Sequence, residues 1–157
     1  MPEDNGVKAK TTLDQQLCFA IYGAAHAFNR AYKPLLQPLA LTYPQYLVLL
    51  ALWEKDHQTV KAIGDQLGLD SGTLSPLLKR LEQAGRIMRR RADVDERQVL
   101  ISLTEDGAAL QEQAAGIMMQ IGKATGCTKD SLVALRENLH ALRHSLEQTA
   151  QGSTDEP

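Results

Sequence analysis

The chain has 157 residues, 43% of them apolar and 23% charged, with a net charge of −2 and a pI near 6.1. That length supports one domain with a sizeable core. No stretch is long and apolar enough to span a bilayer, and the N-terminus lacks the basic-then-apolar layout of a secretory leader, so a cytoplasmic protein is expected.

Residues 1–10 are polar and read as a disordered tail. Thr12 and Gln15 suit a capping box for a helix that runs to about Tyr32 and stops before Pro34. A second helix begins near Pro44, where proline suits a first turn, and reaches about Asp56. Residues 11–58 are therefore expected to be helical, as a dimerisation and sensing region.

From Val60, apolar Ile63 and Leu67 share one face of a short helix. Gly64 lies where another helix must pass close, Gly68 where the chain must turn sharply, and Leu69 is a buried turn residue. Asp70 or Ser71 caps a second helix, whose Leu74, Leu77, Leu78 and Leu81 recur at helical spacing. Its other face carries Ser71, Gly72, Thr73, Ser75, Pro76 and Lys79. Small hydroxyls followed by a lysine suit a helix entering a DNA major groove. Pro76 crowds the carbonyl four residues back, which belongs to Gly72, and that eases the fit.

After Ala84-Gly85 the period changes from 3.6 to 2. Arg86–Arg91 is one strand, 92–96 the tip, and Arg97–Leu103 the returning strand. Residues 59–107 thus form a winged helix-turn-helix. Between Lys79 and Arg97, seven bases (Lys79, Arg80, Arg86, Arg89, Arg90, Arg91, Arg97) face four acids (Glu82, Asp93, Asp95, Glu96), a local charge of +3 that leaves −5 for the rest of the chain. An acidic pI does not exclude DNA binding, because counterion release depends on local phosphate contacts. Simpler readings exist for the parts: three arginines can be a solvated strand edge, and Arg97 can brace the tip by pairing with Asp93 or Asp95. The order and spacing of all the parts together favour DNA.

Thr104 caps a further helix expected to continue through Ile117 and Ile121 to Gly126. Thr128 or Lys129 opens the last one, with Leu132, Leu135, Leu139, Leu142 and Leu146 as its apolar seam. Long terminal helices with uncovered seams point to a dimer interface, with 108–150 as its C-terminal part. Residues 151–157 read as a second disordered tail.

The run from Val60 to Ala108, with Asp93-Val94-Asp95-Glu96-Arg97 and Leu103-Thr104-Glu105-Asp106-Gly107, resembles the wing signature of the MarR family of dimeric bacterial regulators. Leu17-Cys18-Phe19-Ala20-Ile21-Tyr22, Tyr32-Lys33-Pro34-Leu35-Leu36 and Leu41-Thr42-Tyr43-Pro44-Gln45-Tyr46 resemble the OhrR-type organic hydroperoxide sensors of that family. The resemblance implies a mainly α winged-helix homodimer that is no enzyme. It implies a repressor that binds a pseudo-palindromic operator when reduced and leaves it when organic hydroperoxide oxidises Cys18.

Two cysteines, Cys18 and Cys127, with no metal-ligating cluster around them, are expected as reduced thiols, and neither a metal nor a cofactor is expected. Cys18 lies beyond the first turn of its helix, so the helix dipole helps its thiolate little. The resemblance implies tyrosine hydroxyls from the partner subunit in that role, matching Tyr32 and Tyr43, with Tyr22 a further candidate. Phe19, Ile21, Leu35, Leu36 and Tyr46 are candidate apolar walls for the peroxide, and equally suit ordinary core. Cys127, in a loop, suits a resolving cysteine, and the resemblance implies a Cys18–Cys127 bridge between subunits, which needs the two Cα atoms within about 6 Å. Three other readings stay open: a regulator released by a phenolic ligand with the cysteines inert, a thiol peroxidase, and a constitutive DNA binder.

Overall fold

The computed structural model describes residues 12–95 and 97–152; the first expected tail, Glu96 of the wing tip and the end of the second tail lie outside them. The chain divides into two compact units, one through Ala115 and one from Gly116.

The first unit opens with a short 3-10 turn, Leu13–Gln15, and α1, Leu17–Leu36. Thr12 makes no side-chain cap, and α1 passes through Pro34 rather than stopping before it. Arg30, whose carbonyl Pro34 cannot satisfy, and Pro34 are both exposed residues, while Leu36, two residues on, is drawn into the core at 1% exposure. The capping box belongs instead to α2, Tyr43–Glu54, where Thr42 and Gln45 satisfy one another's backbone N–H groups. Val48, Leu49 and Leu52 are fully buried. A helix apolar on most sides must lie inside, and α2 packs against α1 and three later helices: α3, Val60–Leu67, α4, Ser71–Gln83, and α5, Glu105–Ala114.

The helix pair α3 and α4 forms as its local signals direct. Thr59 caps α3, and Gly68 ends it at φ 66°. A Cβ on Gly64 would lie 2.8 Å from the Leu69 carbonyl oxygen, so glycine lets the turn close. Leu69 itself is half-buried rather than buried. Asp70, not Ser71, caps α4 by accepting the Thr73 N–H at 2.7 Å. Leu74, Leu78 and Leu81 are buried and Leu77 half-buried; each of the three contributes about 1.5–3 kcal/mol. A Schellman turn ends α4, with Arg86 N–H on Leu81 O and Gly85 N–H on Glu82 O, both at 2.9 Å.

The sheet has three antiparallel strands in the order β1-β3-β2. The hairpin strands, β2, Ile87–Arg91, and β3, Val99–Leu103, are shorter than expected and pair Ile87 with Leu103 and Arg91 with Val99. The sequence reading had no β1, Gln58–Thr59, which pairs with Ile101 and Leu100. Two residues carry no period; the buried Gln58 amide holds them, donating to Ala51 O and Lys55 O at the end of α2.

Thr104 caps α5, as expected. Its hydroxyl also donates to Gly85 O, and its N–H to Arg86 O, tying α5 to the root of the wing.

The expected continuous helix to Gly126 is broken. The second unit holds α6, Ile117–Ala124, and α7, Lys129–Gly152. At the break Ala115 N–H turns back to Glu112 O, a tightened 3-10 bond, next to Gly116, a poor helix former. Ile117 and Ile121 are buried, and Thr128 caps α7 through the Ser131 N–H. In α7 Leu135, Leu139 and Leu146 stand exposed at 51%, 40% and 62%. That helix runs two residues into the segment read as a tail. No single helix among the described residues is long and apolar enough to cross a membrane.

Candidate nucleic-acid interface and thiol site

Ser71, Gly72, Thr73, Ser75, Pro76 and Lys79 are all exposed on the face of α4 opposite its leucines. Asp70 sits at the N-terminal end of that face. The Thr73 N–H and hydroxyl, with the Gly72 N–H, hold its carboxyl below the usual range. Thr73 is therefore partly occupied as a capping partner.

Ser71 and Ser75 meet the wing across a cleft of about 660 Å³, lined on the far side by Arg89 and Arg97. Lys61 of α3 lines the same cleft and pairs with Asp65 at 2.7 Å. Sequence reasoning missed Lys61, although its place on the exposed face of α3, away from Ile63, was the available signal.

The wing arginines divide. Arg89 donates from Nε to Glu82 Oε2 of α4 at 2.7 Å. Both partners are more than a third exposed, so the pair contributes at most about 1 kcal/mol, but it orients the guanidinium against the cleft. Arg90 and Arg91 line another hollow with His57, Met88 and Asp93. At the tip it is the backbone N–H of Arg97, at 3.0 Å, that binds Asp95 Oδ1.

Cys18 is exposed at the second residue of α1, inside the first turn rather than beyond it as expected, because α1 starts only at Leu17, and its thiol donates to Gln16 Oε1 at 3.6 Å. Tyr22 follows one turn later; its ring lies edge-on to His26 at 4.4 Å and stacks with Phe19 at 6.5 Å. Tyr32 and Tyr43 form a separate cluster, 4.5 Å apart, with Tyr46 5.9 Å from Tyr32. Tyr32 stands fourteen residues beyond Cys18 on the same helix, roughly 21 Å along its axis, so within one chain these phenols cannot reach the thiol. Of the candidate walls, Leu36 and Tyr46 are core, Ile21 and Leu35 half-buried, and Phe19 exposed. Leu36 and Tyr43 line a hollow of about 460 Å³ with Lys33 at its edge.

Burial, and then the neighbouring Tyr43 and Tyr46 phenols, push Tyr32 up from 10.0 to about 12; burial also raises Tyr43 and Tyr46. These groups remain neutral hydroxyl donors through the physiological range. Because the folded-state value of Tyr32 is raised, its contribution to stability is complete below pH 10 and is lost as pH climbs towards 12. Tyrosinate absorbance should therefore include a component near pH 12 in the folded protein. A titration finished by pH 10.5 without unfolding would contradict the buried cluster.

Cys127 is exposed in the loop between α6 and α7, where the sequence reading put it, its N–H on Thr125 Oγ1 and its thiol on Thr125 O. Among the described residues no His, Cys, Asp and Glu group is arranged to hold a metal.

Residues 30–113 match the family described as Transcriptional regulator SarA/Rot. The chain is 53% identical to the HTH-type transcriptional regulator TtmR of Methylorubrum extorquens, covering 93% of this chain and 74% of that one. It is 52% identical to the organic hydroperoxide resistance transcriptional regulator of Bacillus subtilis, over 82% and 92%. Among solved structures it resembles AbfR of Staphylococcus epidermidis in two states. Reduced and bound to DNA, AbfR gives a TM-score of 0.71 at 39% identity, covering 84% of this chain and 92% of that one. With its disulfide formed it gives 0.59 at 40%, covering 83% and 91%.

Proposed function

The chain belongs to the MarR family of winged-helix transcriptional regulators, and to its organic hydroperoxide resistance type, and we propose that it is a two-cysteine redox-sensing repressor, acting as a cytoplasmic homodimer. The observation that carries this reading is the union, in one chain, of an intact winged helix-turn-helix with an exposed Cys18 at the head of α1.

The reduced dimer sets its two α4 helices in successive major grooves. Ser71, Gly72, Thr73, Ser75, Pro76 and Lys79 face the bases and nearby phosphates. Arg89, Arg90, Arg91 and Arg97 reach backbone or minor groove from the wing. A second copy is supported by the apolar side chains that each unit leaves in water, Leu17, Phe19 and Phe28 on α1 and Leu135, Leu139 and Leu146 on α7. It also answers the separation of Cys18 from Tyr32 and Tyr43, since a partner's phenols need not lie along the same helix; Tyr22 is the candidate from the thiol's own helix.

The Cys18 thiolate attacks the terminal oxygen of an organic hydroperoxide. An S–O bond forms, the O–O bond breaks, and the alkoxide takes a proton to leave as an alcohol, the sulfur being oxidised to a sulfenic acid. The Cys127 thiol of the other subunit then forms the S–S bond and water leaves. Closing that bridge moves the winged regions out of register with the operator. Small thiols, or a phenolic ligand acting without covalent change, are the competing routes to release.

The test uses an operator selected from random duplex DNA by the reduced protein. Binding should be lost after one equivalent of cumene hydroperoxide and restored by dithiothreitol. For Lys79→Ala the slope of log K against log salt should flatten by about one, the signature of one lost phosphate contact. Failure of the reduced protein to select any sequence would sink the repressor reading. Release by salicylate but not by hydroperoxide would replace it with the ligand-controlled one.

A further inference from the structure

Tyr43, Tyr46 and Trp53 lie along one face of α2, the last of them the chain's sole tryptophan. Their rings continue the Tyr32–Tyr43 pair. Tyr46 is 5.9 Å from Tyr32 and 3% exposed, and it meets Trp53 edge-on at 6.1 Å and 67°. Trp53 then donates its indole N–H to the Gly107 carbonyl, 54 residues away in sequence, at 2.9 Å. An indole nitrogen only donates, and a half-buried one needs its acceptor. Gly107 in turn lies in the first turn of α5, where any Cβ would run into the carbonyl of Arg86, the residue that leads into β2. The same carbonyl accepts the Thr104 N–H.

These contacts form a continuous packed line from the tyrosine pair to the root of the wing, inside one compact unit. Close-packed rings transmit displacement because there is no void to absorb it. We propose that Tyr46 and Trp53 are positioning residues that couple Tyr32 and Tyr43 to the wing, the Trp53–Gly107 hydrogen bond being the step that carries movement of α2 to Arg86 and β2. This rests on the reading of Tyr32 and Tyr43 as partners of the reactive thiol. A change of state at that thiol then alters the pitch of the wing as well as the spacing between subunits.

The quantity that tests it is the ratio of operator Kd in the oxidised protein to that in the reduced protein, with loss of thiols measured on the same samples. Trp53→Phe keeps a ring and removes the donor; Tyr46→Leu breaks the line of rings. Both variants should oxidise as fully as the wild type and bind operator when reduced, and the ratio should fall by about two- to thirtyfold. Tyr46→Phe, which keeps the ring, should keep the wild-type ratio. Emission from Trp53 in the unaltered protein should shift on oxidation. Wild-type ratios in both Trp53→Phe and Tyr46→Leu, or emission unchanged by complete oxidation, would overturn the coupling while leaving the redox switch standing. A wild-type protein that oxidises fully yet keeps its operator would overturn the switch itself, and the coupling with it.

Discussion

Cys18→Ser should bind operator as tightly as the wild type and be deaf to organic hydroperoxide. The side chain is exposed within its own chain, and a serine hydroxyl of similar size can hydrogen-bond the partner phenols proposed to face it, so exchange of sulfur for oxygen there should change stability by about 0.5 kcal/mol. A serine hydroxyl is neither ionised at neutral pH nor oxidised by a peroxide, which removes the first chemical step. Wild-type affinity should drop about 5- to 150-fold on oxidation, the range of ordinary coupling between sites, and Cys18→Ser should show no drop. Cys127→Ser should separate the second step from the first. It should consume hydroperoxide but give no covalent dimer on a non-reducing gel, and its release should then require an added small thiol. Full release from Cys18→Ser would remove the thiol from the mechanism. A covalent dimer from Cys127→Ser would mean that the bridge joins the two Cys18 residues.

The second large effect is structural. In Gly107→Ala the new Cβ would run into the Arg86 carbonyl oxygen and lie 2.9 Å from its carbon. The clash is with backbone, so no rotamer change relieves it; either α5 lifts away from the wing root or the Schellman turn ending at Arg86 opens. Overpacking of this kind costs about 3 kcal/mol or more, a large share of the roughly 5–15 kcal/mol that holds a domain folded. Thermal melting should fall by roughly 6–12 °C for a chain of this size. Since either displacement disturbs the root of the wing, operator affinity should fall in the molecules that remain folded. A Tm within about 2 °C of wild type would show that α5 meets the wing more loosely than the contact at Arg86 implies.

The glycine at 107 was visible in the sequence only as part of a signature, and its reason was not. The same holds elsewhere. Gly68, the leucines of α4, the Asp70 cap and the Thr104 cap are local signals, each acting within a turn or two of itself, and α3, α4 and the start of α5 are where the sequence put them. The outer face of α4 follows from the inner one, because four leucines at helical spacing leave Ser71, Ser75 and Lys79 no side but the exposed one.

Other features depend on residues far apart in the chain. Pro34 carried the local signal of a helix end, yet burial of Leu36 extends α1 past it. A capping box was assigned to Thr12 and formed at Thr42, where α2 enters the core and its N-terminal N–H groups need partners. The break at Gly116, the two residues of β1 and the Arg89–Glu82 pair had no periodicity to announce them.

By itself, then, the sequence determined the winged helix-turn-helix, its polar face, the loop setting of Cys127 and the family. All of these rest on patterns written within a few consecutive residues. The tertiary structure alone decided which arginine is bound to α4, that Tyr43 and Tyr46 gather against Tyr32, and that Trp53 is tied to Gly107. The physical reason is distance along the chain: such contacts form only after separate helices have buried their apolar faces and brought remote polar groups together, so no local spacing encodes them.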